Sequence, residues 1–546
     1  MRKYLPTSQQ IIHVALKYRL PILSGLLIGT SYIPFPPWAL FFCLTPLFLF
    51  WVQSASNKKQ VFFAGWLTQF ILNLIGFHWI AYTAIEFGHF PVWGGIGSLI
   101  GFAVIAHLYY PVAGVLGFVL SRRLKLRTGA RFLVYALCLL ICEHSFAAIF
   151  PWHLGYPWLW AGFPGAQFAD VIGFEGLNIA TVIANALIGW SIVEGIFKLK
   201  NSRRKAWLPI SVAVALIVVL NIAGIHREVR WEQTDAEIKI LAIQGNIGNW
   251  DKYMAESHGS WATPIVQKFV TLSRQALLQH HEAQLMMWPE TAFPGFLDAN
   301  RLGESLQVQV RNVLIENKIP LITGAYSQRL HSQDTFNGLF YLNAAGSEPV
   351  PPYRKTILLA FGETFPFSDY IPYMEKLFPE QGSFTKGSGP QVWDLNIQGL
   401  PGNHVKVGPQ ICYEGLYPWF SAEMAGKGAE IFTNVTNDSW FGHPFESNQH
   451  LYMTMARAIE FRRPLIRVTN TGVTTASLAS GKLLPQSPND VEWAEVLDIH
   501  YQTNPEHTFY EKLDAFWVWI LLGATVLVLA FGRGIELDSQ SGKQLK

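Results

Sequence analysis

The sequence predicts a helical membrane domain of about eight spans that carries one α/β domain on its extracytoplasmic side. Three observations lead there. Half of the 546 residues are hydrophobic and only 14% are charged, against roughly 25% charged in a soluble domain. Apolar runs of bilayer length fill residues 1–225 and recur near the C-terminus. Between them, short β-rich runs alternate with helical patterns. With a mean hydropathy of +0.21, the composition excludes an ordinary soluble enzyme, a disordered chain and a disulfide scaffold. A net charge of +3 is too small to point to nucleic acid.

The predicted spans lie at 20–33, 38–52, 61–81, 92–120, 132–150, 171–197 and 207–224, with an eighth at 514–532. Most approach or exceed the roughly 20 residues that cross a hydrocarbon core. The first two are short, and Pro34-Phe35-Pro36-Pro37 between them reads as a tight turn. No small-residue cleavage site follows the first apolar run, so it is expected to be retained. Lys and Arg set the orientation. They gather at the N-terminus (Arg2, Lys3, Lys17, Arg19), at Lys58 and Lys59, at Arg122–Arg131 and at Lys198–Lys205. The intervening loops at 34–37, 82–91 and 151–170 carry none. A cytoplasmic N-terminus and seven spans put the next segment outside. The eighth span then returns Arg533, Lys543 and Lys546 to the cytoplasm.

The expected domains are therefore 1–225 in the membrane, 226–510 outside it, and 511–546 as the last span with its tail. In the middle domain, strands are expected at Ile238–Ile243, Leu285–Trp288, Leu321–Ala325, Leu339–Leu342, His404–Val407, Glu430–Thr433, Leu465–Val468 and near Val496. Helices are expected at 262–281, 303–317 and 447–462. Such alternation builds a layered α/β domain.

Of the four cysteines, Cys43, Cys138 and Cys142 fall in predicted spans, where a small apolar side chain needs no special account. No His/Cys cluster stands at ligand spacing, so no metal site is expected. Cys412 is the only cysteine of the soluble domain. Without a partner there, it is either buried and inert or kept for chemistry. The strand-like run His404–Ile411 ends at it, and Tyr413-Glu414-Gly415 and a helix-like segment follow. Such an elbow exposes a thiol and frees backbone N–H groups for a developing oxyanion. Leu285-Met-Met-Trp-Pro-Glu290-Thr ends a strand in a carboxylate among apolar neighbours. That group can serve as a general base or be a solvated loop acid. Tyr353-Arg354-Lys355 supplies a cation that can favour a thiolate and hold an oxyanion, or is a plain basic turn.

Taken in order, Trp-Pro-Glu290-Thr, Tyr-Arg-Lys355 and Ile-Cys412-Tyr-Glu resemble the Glu–Lys–Cys triad of the nitrilase (carbon-nitrogen hydrolase) superfamily. Eight spans around an extracytoplasmic domain of that kind are similar to its membrane branch, the apolipoprotein N-acyltransferases. Gln244-Gly-Asn-Ile247, Thr436-Asn-Asp-Ser-Trp-Phe-Gly442 and Arg467-Val-Thr-Asn-Thr-Gly472 add to the resemblance. The family often shows a His-Leu-x-Pro-Phe-Gly-Glu run after the Lys. Phe361, Gly362 and Glu363 keep it here, whereas Ile357 and Ala360 stand at the His and Pro positions.

The resemblance implies an αββα sandwich for residues 234–505 and a two-step acyl transfer. Glu290 is then the base and Cys412 the nucleophile, with Lys355 and the Tyr413 N–H holding the oxyanion. Glu363 becomes a second acid supporting the Lys and the amine, and Glu414 a supporting residue. The donor is a membrane phospholipid, by resemblance phosphatidylethanolamine, and the acceptor is a diacylglyceryl-apolipoprotein amine. No cofactor is implied, because exchange of ester for thioester for amide supplies the drive. The family also implies a bacterial inner (cytoplasmic) membrane with the catalytic domain on the periplasmic face. Expected substrate contacts are Trp440 and Asn437 on the 436–442 turn, Trp250, Trp158, and Phe365 within an apolar lid, Phe361–Phe384. Trp152, Trp158 and Trp160 equally suit an interfacial aromatic belt. A membrane-anchored amidase or nitrile hydrolase with the same triad stays open, as does a non-catalytic lipid-binding or transport protein.

Overall fold

The computed structural model describes residues 14–146, 148–197, 203–257, 261–298, 304–329, 332, 334–360, 362–364, 384–442 and 445–533. Phe361, Phe365 and most of the expected lid lie outside the described residues.

The N-terminal part is a helical bundle. Among the described residues, four apolar stretches are long enough to cross a bilayer, namely Val92–Arg123, Pro164–Gly195, Trp207–Glu228 and Tyr510–Phe531. Lys58–Gly76 and Trp79–Glu86, bent by 60° to each other, make a fifth if they count as one span. The first two predicted spans are not regular crossings. One is an 11-residue helix, Arg19–Gly29; the other is a run of turns leading into the helix Thr45–Leu49 and a π-turn, Phe50–Ser54. Pro34, Pro36 and Pro37 remove three backbone donors here, so a continuous helix cannot form. The predicted 132–150 span is the helix Thr128–Ser145, which ends where Phe146 turns extended. Trp519 is 69% exposed and Phe531 82%, on a helix with almost no polar residue. Large apolar groups in that density on an outer surface fit lipid rather than water.

The two ends of the bundle differ. At one end, Leu126 pairs with Arg533, which brings the end of the last helix to the basic loop 122–131. At the other end, loops without Lys or Arg receive the α/β domain. Gln449 Nε2 donates to the carbonyls of Ile33 (2.9 Å) and Gly76 (3.0 Å). Arg457 reaches the Tyr156 hydroxyl at 3.2 Å. Arg462, buried, donates to Asp170 (3.0 Å), to Gln167 Oε1 (2.8 Å) and to the Gln167 carbonyl (2.7 Å).

Two sheets build the α/β domain. The first has the order β12-β1-β2-β4-β5-β6, with β3 beside β4. Its strands are β1 Ala236–Gln244, β2 Leu285–Met287, β3 Phe293–Phe296, β4 Leu321–Gln328, β5 Thr335–Leu342, β6 Tyr353–Arg354 and β12 Trp493–Tyr501. The second has the order β11-β10-β9-β8-β7, from β7 Trp393–Asn396, β8 His404–Ile411, β9 Ile431–Thr436, β10 Leu465–Thr469 and β11 Thr475–Ser477. Side chains alternate as a pleated strand requires. Ile240 and Ala242 of β1 share a core with Val405 and Val407 of β8, while Leu241 and Ile243 pack with Val266 and Phe269 of the helix Ala262–Leu277. The sheets thus face each other, with helices on both outer faces. The helix Phe445–Phe461 is buried along nearly its whole length, because it lies between the second sheet and the membrane helices.

Breaking a buried ion pair from one side costs about 3–5 kcal/mol. Arg462→Ala is therefore expected to lower the melting temperature of the detergent-solubilised chain clearly. An unchanged melt would show that this contact does not hold the two parts together.

Candidate active site

Strand ends deliver the charged residues. Glu290 follows β2 and is 6% exposed. Its Oε1 accepts from Asn337 Nδ2 at 2.7 Å and Lys355 Nζ at 3.1 Å. The next residue, Thr291, has φ +48°, a left-handed conformation that a β-branched residue rarely adopts. Lys252 grips this turn, with Nζ 3.3 Å from the Glu290 carbonyl and 3.1 Å from Thr291 Oγ1. Gly324 of β4 lets the turn close, since a Cβ there would stand 2.5 Å from the Thr291 nitrogen.

Lys355 follows β6 and is 1% exposed. Its ammonium lies 2.9 Å from the Glu363 carboxylate and 3.1 Å from Glu290. Asn337 Nδ2 also donates to Glu363 at 2.9 Å, so one amide holds both carboxylates. Burial pulls the lysine pKa down, but Glu290 and Glu363 outweigh it and hold the ammonium well above its ordinary range.

Cys412 ends β8 and is 5% exposed, with φ +53°. Burial, then the Glu290 charge, pushes its thiol well above the ordinary cysteine value, against the opposing pull of Lys355 and the Thr436 hydroxyl. The resting site therefore carries a thiol beside a permanent cation. Tyr413 is the second residue of the short 3₁₀ turn Cys412–Leu416. Its hydroxyl accepts from Tyr417 at 2.6 Å, and its ring centroid lies 6.0 Å from that of Phe150 in the membrane domain.

Glu414 ties the two sheets together. Its Oε1 accepts from Tyr353 Oη (2.5 Å), Thr356 N (2.6 Å) and Ile357 N (3.1 Å), and its Oε2 from Ile411 N (2.8 Å). The lysine loop and the cysteine elbow are thereby fastened to one carboxyl. Burial pushes that carboxyl up to about 7 despite these bonds. The loop is held through main-chain N–H groups, including Leu359 N to Glu363 at 2.8 Å. Ile357 joins that hold through its main-chain N–H rather than its side chain.

The other expected contacts diverge. Trp440 lies edge-on to Phe87 of the membrane domain, and Trp250, on the helix Asn249–Ser257, is 63% exposed. Asn437 is buried and its Oδ1 accepts from Ser439 and Asn470 at 2.9 Å each, joining its turn to the segment after β10. Trp158 is wholly buried and donates to Thr181 at 2.9 Å, packed between helices. Trp152 is likewise buried, so an aromatic belt does not account for it.

Asn337, Lys252 and a cluster of Asn434, Asp438, His450 and Arg467 went unforeseen. Their sequence signal is a polar residue inside an apolar strand, as in Thr335-Phe-Asn337-Gly-Leu and Leu465-Ile-Arg467-Val. Asp438, Glu446 and His450 also bring possible metal-ligand atoms within 4.8 Å of one another. Arg467 stands 2.6 Å from Asp438, so a guanidinium already supplies the positive charge that a metal would bring.

The Carbon-nitrogen hydrolase family model matches residues 236–502, and that of the Apolipoprotein N-acyltransferase N-terminal domain matches residues 24–187. An apolipoprotein N-acyltransferase of Bdellovibrio bacteriovorus is 44% identical over 529 residues, covering 96% of this chain and 94% of its own. One of Geobacter metallireducens is 27% identical over 537 residues, covering 94% and 95%. A solved amidase structure from Nesterenkonia sp. is 14% identical with a TM-score of 0.36, over 51% of this chain and 96% of that one. That likeness is too loose to bear on the site.

The raised carboxyl of Glu414 has a consequence for stability. A group at about 7 when folded and 4.5 when unfolded holds its proton more tightly in the native state. Its contribution is present below pH 4.5 and is lost as pH rises towards 7, about 3 kcal/mol in all. The stability of the wild type relative to Glu414→Gln should fall by about that amount over this window. A difference that stays flat in denaturation series at several pH values would contradict the assignment.

Proposed function

The chain belongs to the apolipoprotein N-acyltransferase family, and from that premise we propose how its residues carry out the transfer. The protein is a membrane acyltransferase. It moves a fatty acyl chain from a membrane phospholipid, by way of a cysteine thioester, to the α-amine of the N-terminal cysteine of lipid-modified apolipoproteins. The observation that carries the site assignment is the buried Lys355 ammonium, held by Glu290 and Glu363 beside the Cys412 thiol.

In the first half-reaction, Glu290 takes the thiol proton as Cys412 Sγ attacks the ester carbonyl. Burial and the charge of Glu290 raise the cost of a free thiolate, so proton loss and attack proceed together. An ammonium has three donors, and two of those of Lys355 are committed to carboxylates. The third N–H and the main-chain N–H of Tyr413 hold the tetrahedral oxyanion. Collapse breaks the ester C–O bond, and the departing lysophospholipid alkoxide takes the proton back from Glu290. In the second half-reaction the acceptor amine attacks the thioester. Glu290 accepts its proton, the C–S bond breaks, and Cys412 is restored as a thiol. Glu363 keeps Lys355 charged throughout.

The donor headgroup is phosphatidylethanolamine, following the family. Eight crossings, an inner-membrane location and a periplasmic catalytic domain follow from the Lys/Arg pattern and the family. The docking of the α/β domain on loops that lack Lys and Arg supports that orientation. The domain limits 1–225, 226–510 and 511–546 are proposed on the same basis. Trp440 and Trp250 remain proposed substrate contacts, as does Phe365 in the lid.

Purified full-length protein supplied with phosphatidylethanolamine and a synthetic diacylglyceryl lipopeptide should yield N-acylated peptide, followed by mass. Glu290→Gln should slow the transfer by about 10²–10⁴-fold. Near wild-type rates in that variant, or free fatty acid appearing as fast as product, would overturn the mechanism. For orientation, single cysteines replacing Lys58 and His281 can be probed in spheroplasts with an impermeant maleimide. Labelling at 281 and not at 58 is expected, and the reverse would invert the topology.

A further inference from the structure

Cys412 is not glycine, yet it sits at φ +53°. Such a conformation is unfavourable for a residue with a side chain and persists only where its surroundings over-determine it. Glu414 secures the elbow on the side of the first sheet. On the other side, Asn434 Nδ2 donates to the Cys412 carbonyl at 2.9 Å. Asn434 Oδ1 accepts from Arg467 Nη1 at 3.2 Å, and Arg467 Nη2 donates to Asp438 Oδ2 at 2.6 Å. Asp438 Oδ1 in turn lies 3.0 Å from His450 Nδ1.

These groups cross the second sheet in line. Asn434 of β9 is the register partner of Gln410 in β8 and of Arg467 in β10. Asn434, Asp438 and Arg467 each have no exposed surface. Gly472 closes the assembly, because a Cβ there would lie 2.1 Å from Asp438 Oδ2. A buried arginine in a central strand is costly unless fully paired, and the fold carries that cost directly behind the nucleophile.

We propose that Asn434, Asp438 and Arg467 form a brace that fixes the backbone of Cys412, making them positioning residues for acyl-enzyme formation. The proposal rests on Cys412 being the nucleophile. It differs in sign from a purely electrostatic role. The charged groups that face the thiol are Glu290, Lys355 and Asp438. The Asp438 charge raises the thiol pKa, so removing it alone would ease thiolate formation and speed acylation. Loss of a brace slows acylation instead.

The test uses full-length protein in detergent with Asn434→Ala and Asp438→Asn. Acyl-enzyme formation is followed by intact mass in a single turnover, the phospholipid KM is measured, and iodoacetamide alkylation of Cys412 is followed against pH. Acylation should fall about tenfold or more in both variants, with KM within about twofold of wild type. In Asp438→Asn the alkylation midpoint should move down while acylation still slows. Unchanged or faster acylation, or a loss carried wholly by KM, would overturn the brace. If Asn434→Ala fails to melt cooperatively, Arg467→Lys, which keeps the charge at Asp438 and loses the second arm, carries the same expectation. Acyl-enzyme persisting in Cys412→Ala would instead overturn the nucleophile assignment, whatever the brace variants do.

Discussion

A buried ammonium is the constraint on which the catalytic arrangement turns. Stripping water from Lys355 costs several kcal/mol, and only opposite charge in good geometry offsets it. The first sheet is built to provide that charge. The end of β2 delivers Glu290, β5 delivers Asn337 to hold both carboxylates, and β6 delivers the lysine itself, while Glu363 returns from the following loop. The second sheet contributes the thiol. Only two facing sheets, fastened at Glu414, can bring a strand end from each to one point.

The same framework couples catalysis to the membrane. On the helix Phe445–Phe461, Gln449 bonds the carbonyls at Ile33 and Gly76, while its neighbour His450 reaches Asp438 behind Cys412. Arg457, further along, meets Tyr156. One buried helix thus docks the α/β domain on the bundle and supports the cysteine elbow. Tyr413, beside Cys412, meets Phe150 directly.

Much of this was legible in the sequence, for physical reasons. Strands such as β1 and β10 carry dense apolar runs that are buried in the sheets. Glu290 and Cys412 each follow a strand-like run, so their placement at strand ends could be read, whereas Lys355 follows β6, which is too short to show. The short strands β3, β6, β7 and β11 were missed because two to four residues show no period. The short early spans misled because apolar composition alone does not distinguish a crossing helix from the 11-residue helix Arg19–Gly29 and the run of turns before Thr45–Leu49. Asn434 and Arg467 were hidden for a different reason. Their roles depend on cross-strand register between β8, β9 and β10, and register is a property of pairing, absent from any single segment. Trp158 read as interfacial from its neighbours, yet its indole N–H is spent on Thr181 inside the bundle.

The most direct test of the account is the mass of the intact detergent-purified protein after incubation with phospholipid alone. A fatty-acyl increment is expected on the wild type and absent from Cys412→Ala. Neutral hydroxylamine should remove it, as it does a thioester, and a diacylated lipopeptide should discharge it onto the peptide amine. A folded wild type that gains no acyl mass, or an adduct that resists hydroxylamine, would contradict the proposed chemistry at Cys412.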